Sequence, residues 1–282
     1  MRYVRSLAED AGSNAQLLAK IERAEAVETV EAIDDIVLAS DAVMVARGDL
    51  GVEIGDAHLP LTQKNIINQC RKNNRIVITA TQMMETMIDN PIPTRAEVFD
   101  VANAVIDGTD AVMLSGETAV GKHPDKVISI MNEICEQAEL SRDSQESAHR
   151  MHQKFERVDE GIAMATMYAA NHMNIKAIGA LTESGSTTRW MSRISSGIPI
   201  FAMTNHEKTC RLVSLYRGVY PVLLSEKLSN PLEANKVAID HLLEAGVVAD
   251  GDNVIVTKGD LMGYDGGTNQ MKIINVGNHK TA

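Results

Sequence analysis

The chain has 282 residues, 44% of them apolar, and carries a formal net charge of −11. Its length is sufficient for two domains of ordinary size, and its apolar content is normal for a globular fold. The negative charge excludes nucleic acid as the main partner because a phosphate backbone would be repelled. No apolar run approaches transmembrane length, so we also expect no membrane partner.

Cysteine usage and the amino terminus indicate a compartment. The three cysteines, Cys70, Cys135 and Cys210, lie far apart in the sequence and fit neither a disulfide framework nor a zinc-binding pattern. Residues 1–13 lack the apolar region of a signal peptide. We therefore expect reduced thiols and a cytoplasmic location.

The first 140 residues are predicted to alternate between strands and helices. The predicted strands are residues 16–22, 42–46, 75–81 and 109–114, and the predicted helices are residues 1–12, 28–38, 59–73, 94–106 and 124–140. The fourth of these helices begins with a capping box of Thr94 and Glu97. Two of the strands begin with the same Asp-Ala-Val-Met entry and are continuously apolar, which is typical of a parallel sheet buried on both faces.

Polar residues stand at the ends of these strands at a regular period. Lys20, Asp49, Thr81 and Ser115 follow one another at intervals of 29, 32 and 34 residues. In a β/α barrel the functional residues lie at the carboxyl ends of successive strands, and a closed barrel needs eight strands. The pattern predicts an α/β fold that begins with half of a TIM-type β/α barrel over residues 1–140.

A second α/β domain is predicted over residues 157–282, after a polar linker at residues 141–156. Its predicted strands are residues 176–181, 199–204, 253–257 and 271–276, and we expect them to form a mixed sheet. Helices are predicted at residues 158–172, after the turn at residues 182–188, after Asn205 as N-cap, and after Asn230.

Several runs together carry a family resemblance. They are LLAKIERAEAV, MVARGDLGVE, VITATQMMETM, NPIPTRAEVFDVANAVIDGTDAVMLSGETAVGKHP and LTESGSTTR. With them the chain resembles the carboxyl-terminal portion of pyruvate kinase from about Leu17 onward, which implies that the half-barrel is the second half of a TIM-type β/α barrel. The last part of the chain resembles the bacterial type activated by AMP or sugar monophosphates, because Glu183 stands where types activated by fructose 1,6-bisphosphate tend to carry a small residue. The resemblance implies a phosphotransferase of glycolysis that converts phosphoenolpyruvate and ADP into pyruvate and ATP.

The resemblance also implies roles for the strand-end residues. Glu22 and Asp49 would hold Mg²⁺ or Mn²⁺, which takes one or two protein carboxylates besides substrate oxygens. Lys20 would stabilise the phosphoryl group during transfer. The backbone N–H groups of Gly48 and Asp49 would bind the substrate carboxylate, since glycine permits a close approach. Thr81 would contact the substrate near the carbon that receives the proton.

Further roles follow from the same resemblance. Ser115 would join the proton relay, and K⁺ is a possible cofactor whose ligands would lie outside this chain. A phosphorylated effector would bind the Ser/Thr-rich turn through Thr182, Ser184, Gly185, Ser186 and Thr187, with residues 263–268 as a second loop of the pocket. The intact family implies a homo-oligomer, namely a tetramer.

The residues themselves leave other interpretations open. Lys20 and Glu22 are also typical of an internal ion pair, and Asp49 after a glycine is typical of a helix cap. The hydroxyls of Thr81 and Ser115 more often bond the local backbone. Their regular period within the family motifs favours the functional interpretation. Met83, Met84 and Met87 are predicted to pack in the core.

Compared with the family, roughly 200 residues have no counterpart here, judged from a half-barrel and a lid of ordinary domain size. Because phosphate positioning and water exclusion dominate phosphoryl transfer, we expect this chain alone to be inactive or nearly so. Two alternative functions remain: a non-catalytic module for effector binding or assembly, and a metal-dependent oxo-acid lyase on a related barrel.

Overall fold

A computed structural model divides the chain into two compact units, Met1–Ser144 and Gln145–Ala282. The structure describes residues 1–141, 154–194, 196–225, 231–260 and 264–277, with the backbone alone for residues 231 and 232. Most of the predicted linker, residues 142–153, lies outside these described residues. Of the helices described, none is long and apolar enough to cross a membrane.

The first unit contains a four-stranded sheet. Its strands are β1 (Leu18–Ile21), β2 (Ala42–Ala46), β3 (Ile76–Ala80) and β4 (Ala111–Met113). They pair in chain order, and every pair is parallel. Nearly every residue of β2 and β3 is buried, as the continuously apolar runs require. The predicted succession of β/α units is confirmed.

Helices connect these strands and cover the sheet. They are α1 (Arg2–Asp10), α2 (Val30–Leu38), α3 (Arg47–Ile54), α4 (Leu59–Lys72), α5 (Arg95–Asp107), α6 (Gly116–Ala119) and α7 (Pro124–Glu139). The capping box predicted for α5 is present, because Thr94 accepts from the Glu97 amide while the Glu97 carboxylate accepts from the Thr94 amide. Short 3₁₀ turns at Ala24–Ala26 and Glu85–Ile88, and the single turn α6, were not part of the predicted pattern.

Two apolar clusters lie among the described residues of the first unit. One lies between β1 to β3 and the helices α2 and α4, whose buried residues include Ile66, Ile67 and Cys70. The other joins the segment after β3 to α5 and α7, and it contains the fully buried side chains of Met83, Met84 and Met87. The prediction that these methionines pack in the core is confirmed.

The second unit contains a five-stranded mixed sheet. Its strands are β5 (Ala177–Leu181), β6 (Ile200–Thr204), β7 (Val219–Leu223), β8 (Asn253–Lys258) and β9 (Gln270–Asn275), and its helices are α8 (Val158–His172), α9 (Ser186–Ser192), α10 (Glu207–Val213) and α11 (Pro231–Glu244). The strand order is β7-β6-β5-β8-β9, with β9 antiparallel to β8 and all other pairs parallel. The predicted mixed sheet is confirmed.

Three details of the second unit differ from, or lie beyond, the prediction. The sequence pattern did not predict strand β7, which contains Pro221; β7 is an edge strand, where the missing proline N–H costs least. The predicted cap Asn205 is wrong, because α10 begins after His206 and has no side-chain cap bond. The predicted cap Asn230 lies outside the described residues.

Candidate active site

The carboxyl ends of the parallel strands bring most of the predicted residues to one edge of the sheet. Lys20 lies in β1, Gly48 and Asp49 lie in the first turn of α3 directly after β2, and Thr81 directly follows β3. The Lys20 ammonium donates to the Asp49 carboxylate at 3.1 Å, and the Gly48 amide donates to Thr81 Oγ1 at 2.9 Å. No hydrogen bond within the described residues joins Ser115, after β4, to these groups.

Lys20 forms ion pairs with both carboxylates that were predicted as metal ligands. Its Nζ atom contacts Glu22 Oε2 and Asp49 Oδ2. Hydrogen bonds to Glu22 first, and to Asp49 second, raise the pKa of Lys20, while the Lys20 ammonium lowers the pKa of Asp49. The side chains of Lys20, Glu22 and Asp49 are 49%, 34% and 64% exposed. The Lys20–Glu22 ion pair therefore exists between partly exposed side chains, and the Glu22 Oε2 atom that takes part in it is itself covered.

The start of α3 explains the position of Asp49. The N-cap of α3 is Ala46, so Asp49 lies inside the first turn and is not the helix cap that its spacing also permitted. Amides of a first helical turn have no partner within the helix. A Cβ atom at Gly48 would lie 3.6 Å from Thr81 Oγ1. That distance is an ordinary van der Waals contact, so the space beside Gly48 does not exclude a side chain, and the Gly48 amide already donates to the Thr81 hydroxyl.

Thr81 holds an unusual backbone conformation. Thr81 and Gln82 have φ angles of 65° and 53°, a left-handed region that a β-branched residue such as threonine rarely adopts. The Thr81 hydroxyl donates to the Ala80 carbonyl at 2.7 Å while it accepts the Gly48 amide. It therefore bonds the local backbone, as the alternative interpretation allowed, and also the Gly48 amide in the first turn of α3.

Arg47 supports this turn, and the sequence interpretation missed it. Its side chain is 6% exposed and donates to the carbonyls of Ala80, Thr81 and Gln82 at 2.7–3.3 Å and to the Asp100 carboxylate at 2.5 Å. An arginine directly after five apolar residues was the available signal, because a charge at such a position is normally buried and paired.

Glu117 is a second residue that the sequence interpretation missed. It is 3% exposed, and its two oxygens accept the amides of Met84 and Ser115 at 3.1 and 2.8 Å. The carboxylate thus connects the loop after β3 to the turn after β4. Ser115 itself precedes α6, and its carbonyl accepts from Thr118.

In the second unit, the predicted effector turn follows β5. Thr182 accepts the Gly185 amide at 2.9 Å, Ser186 donates to Asp159 at 3.2 Å, and Thr187 donates to Thr268 at 2.7 Å. Gly185 has φ 80°, and a Cβ atom there would lie 2.7 Å from a Val213 methyl group. Ser184 is half-buried.

Two further contacts define the surroundings of this turn. Glu183 bonds His206 at 2.6 Å. Arg157, which was not predicted, donates two 2.9 Å hydrogen bonds to the buried Asp159. The Arg157 guanidinium lies so close to Gly266 that a Cβ atom there would meet it at 2.5 Å. The structure therefore places a cation, the Arg157 guanidinium, beside the turn. The described part of the predicted second loop, residues 264–268, contacts the turn through the hydrogen bond between Thr187 and Thr268.

Comparison with known proteins identifies the fold family. The family model "Pyruvate kinase, barrel domain" matches residues 1–128, and "Pyruvate kinase, alpha/beta domain" matches residues 160–274. The chain belongs to the pyruvate kinase family. It is 54% identical to pyruvate kinase II of Salmonella typhimurium over 98% of this chain and 58% of that protein.

Other pyruvate kinases give the same result. The chain is 53% identical to the pyruvate kinase of Buchnera aphidicola over 97% of this chain and 57% of that protein. It is 54% identical to that of Haemophilus influenzae over 92% of this chain and 54% of that protein. The chain thus spans less than three fifths of these relatives. Membership of a phosphotransferase family does not favour the oxo-acid lyase or the purely non-catalytic module.

Proposed function

We propose that the first unit carries metal- and substrate-binding residues of a pyruvate kinase, which transfers the phosphoryl group of phosphoenolpyruvate to ADP. The observation that carries the proposal is the contact of Lys20 with Glu22 and Asp49, beside the Gly48–Thr81 contact at the same sheet edge. Phosphoryl transfer needs positioned cations and amide donors more than covalent chemistry, and this edge offers both.

The donor set fits a hard divalent cation. Glu22 and Asp49 present carboxylate oxygens that already share one positive charge, the Lys20 ammonium. Mg²⁺ or Mn²⁺ commonly takes one or two protein carboxylates and completes its shell with water and substrate oxygens. When bound, such an ion would neutralise charge on the phosphoryl group and on the enolate. K⁺ is a further proposed cofactor, and we assign no residue of this chain to it.

The substrate carboxylate is proposed to bind at the first turn of α3. The amides of Gly48 and Asp49 stand at the positive end of the helix, which favours an anion. A carboxylate at Gly48 would replace Thr81 Oγ1 as the acceptor of that amide, leaving the Thr81 hydroxyl beside the substrate. Lys20 would then contact the phosphoryl group. We also propose that Ser115 relays the proton, and this assignment is based on its position after the end of β4.

The second unit is proposed to bind a monophosphate effector at Thr182, Ser184, Gly185, Ser186 and Thr187. Arg157 supplies a half-exposed cation beside these groups. Two carboxylates oppose a second phosphate, namely Glu183 in the turn and the exposed Asp265 in the neighbouring loop. We expect thermal stabilisation by AMP or glucose 6-phosphate that exceeds stabilisation by fructose 1,6-bisphosphate and is lost in Arg157→Met. Equal shifts for all three compounds would contradict the proposed selectivity.

We further propose a cytoplasmic location and a homo-oligomeric state. The three cysteines are free thiols, which suits a reducing compartment. The oligomeric state rests on family membership. Sedimentation at several concentrations tests it, and a monomer at every concentration would contradict it.

The test of the metal and substrate site is a titration of the purified chain with Mn²⁺ and then with oxalate, a planar dianion that resembles the enolate. Glu22→Gln and Asp49→Asn are each expected to weaken Mn²⁺ binding about tenfold or more, since each removes a ligand charge. Glu25→Gln, an exposed carboxylate of the same segment, is the matched control. Unchanged binding in both site variants would refute the assignment.

Pyruvate formation by the same sample tests the expectation of inactivity. Measurable turnover from phosphoenolpyruvate and ADP that is lost in Lys20→Met would contradict that expectation, and it would support the role of Lys20.

A further inference from the structure

One ammonium group lies between the two carboxylates proposed as metal ligands. Lys20 Nζ contacts Glu22 Oε2, and it also contacts Asp49 Oδ2 at 3.1 Å. Glu22 follows β1 and Asp49 follows β2, so the two carboxylates come from neighbouring strands, and Lys20 contacts both of them. No group of three or more metal-binding side chains was found among the described residues.

We propose that Lys20 is the resident cation of the Glu22–Asp49 pair, and that its ammonium must leave this position before a divalent cation binds there. The inference rests on the metal site proposed above and adds a competition between Lys20 and the metal for the same oxygens. An oxygen that accepts the Lys20 ammonium is not available in the same direction as a metal ligand. The ammonium and a divalent cation would also repel each other at such short range.

The competition has a consequence for the order of events. Without metal, the Lys20 charge is neutralised by two carboxylates, so it is not available to an incoming phosphate. With metal bound, the carboxylates are neutralised by the metal, and the ammonium is released at the same strand edge. The divalent cation and the phosphoryl group are then expected to bind cooperatively, because the first ion frees the charge that the second group needs.

A purely supporting role for Lys20 predicts the opposite result. If the ammonium mainly holds the two carboxylates in position, its removal lets them move apart, and metal binding weakens. If it competes, its removal strengthens metal binding. The sign of one measured change therefore separates the two roles.

The experiment compares Mn²⁺ dissociation constants of the wild-type chain, Lys20→Met, Lys20→Arg and Lys122→Met by calorimetry. Methionine keeps the unbranched length, and its soft sulfur is a poor ligand for Mn²⁺. Lys20→Arg keeps the positive charge. Lys122→Met removes one positive charge from a different lysine–aspartate pair of the same unit, that with Asp89, and so corrects for net charge. Circular dichroism establishes that each variant is folded.

Lys20→Met is expected to bind Mn²⁺ roughly two- to fivefold more tightly than the wild type, the range over which an exposed ion pair shifts an equilibrium. Lys20→Arg and Lys122→Met are expected to bind like the wild type. Equal or weaker binding by Lys20→Met, with Mn²⁺ still bound by the wild type, would overturn the competition alone. Absence of Mn²⁺ binding by every variant would overturn the metal site, and the inference with it.

Discussion

Replacement of Arg47 by methionine is expected to damage the turn after β3 more than any exposed substitution in the first unit. The guanidinium is almost fully buried and donates to three successive carbonyls, those of Ala80, Thr81 and Gln82. Methionine fills a similar length but donates nothing. The carbonyls of Thr81 and Gln82 would lose this donor, whereas the Ala80 carbonyl would keep the Thr81 hydroxyl and Asp100, which is 39% exposed, can turn to water.

The magnitude follows from the number of acceptors left without a partner. Each buried carbonyl without a hydrogen bond costs about 1–3 kcal/mol. Relaxation of the left-handed Thr81 and Gln82 returns about 1–3 kcal/mol of strain for each residue that leaves this region. With two carbonyls left without a partner and one residue relaxing, we expect a net loss of about 2 kcal/mol in the free energy of unfolding, or about 7 °C in the melting temperature of a unit of this size.

Urea denaturation and hydrogen–deuterium exchange test this prediction. The denaturation midpoint gives the loss of stability, and the exchange of peptides that cover residues 76–88 shows where protection is lost. Arg47→Lys should recover part of the loss, because lysine donates three hydrogen bonds without the planar fork of arginine. Arg23→Met, at an exposed ion-paired arginine, should leave the midpoint unchanged.

An Arg47→Met variant whose midpoint equals that of Arg23→Met would contradict a stabilising role of the Arg47 hydrogen bonds. Faster exchange spread evenly over both units would contradict the expected local loss of protection.

Three other substitutions test the remaining polar contacts of the first unit by urea denaturation. Thr94→Ala should cost about 1 kcal/mol, since it removes the N-cap of α5; no loss would show that the capping box is dispensable. Glu117→Gln should lower the free energy of unfolding by about 1–3 kcal/mol, because each Glu117 oxygen accepts a different amide and the new NH₂ group must face one of those amides. A loss no larger than that of the exposed control Glu136→Gln would contradict this expectation. Burial acts to raise the pKa of Glu97, but hydrogen bonds from Thr86 and Thr94 hold that pKa below its ordinary value. The Glu97 carboxylate therefore stabilises the fold above about pH 4.3, and this stabilisation is lost as the pH falls through the lower folded-state pKa. Glu97→Gln should for that reason lose less stability than the wild type between about pH 5 and pH 3. Parallel plots of stability against pH for the two proteins would contradict the assignment.

The strand ends were predictable from the sequence because they depend on local pattern. Apolar runs placed β2 and β3 to within a residue, and their ends placed Gly48, Asp49 and Thr81. Contacts between strands depend instead on register. The pairing of Ala46 with Ala80 brings the Gly48 amide to the Thr81 hydroxyl, and nothing in either segment alone specifies that pairing.

Two of the missed residues, Arg47 and Glu117, have partners that are distant in the chain. Arg47 bonds residues 33 to 53 positions away, and Glu117 bonds Met84, 33 positions away. The missed strand β7 has a different cause, since Pro221 lowers any strand propensity that the sequence shows. The turn at residues 182–188 was recognised from its composition, whereas Arg157 beside it carries no local signal.

The loop after β3 is determined almost entirely by groups outside itself. Arg47 from α3 holds its carbonyls, Glu117 from α6 holds the Met84 amide, and Glu97 from α5 accepts the amide and hydroxyl of Thr86. Closing contacts over such sequence separations is slow, because the chain loses loop entropy before the contacts form. We expect this loop to reach its native shape late in folding, after those three helices have docked. Protection of its amides in a pulse-labelling experiment would then report the completed fold, and the strand edge that carries Thr81 would be among the last surfaces to form.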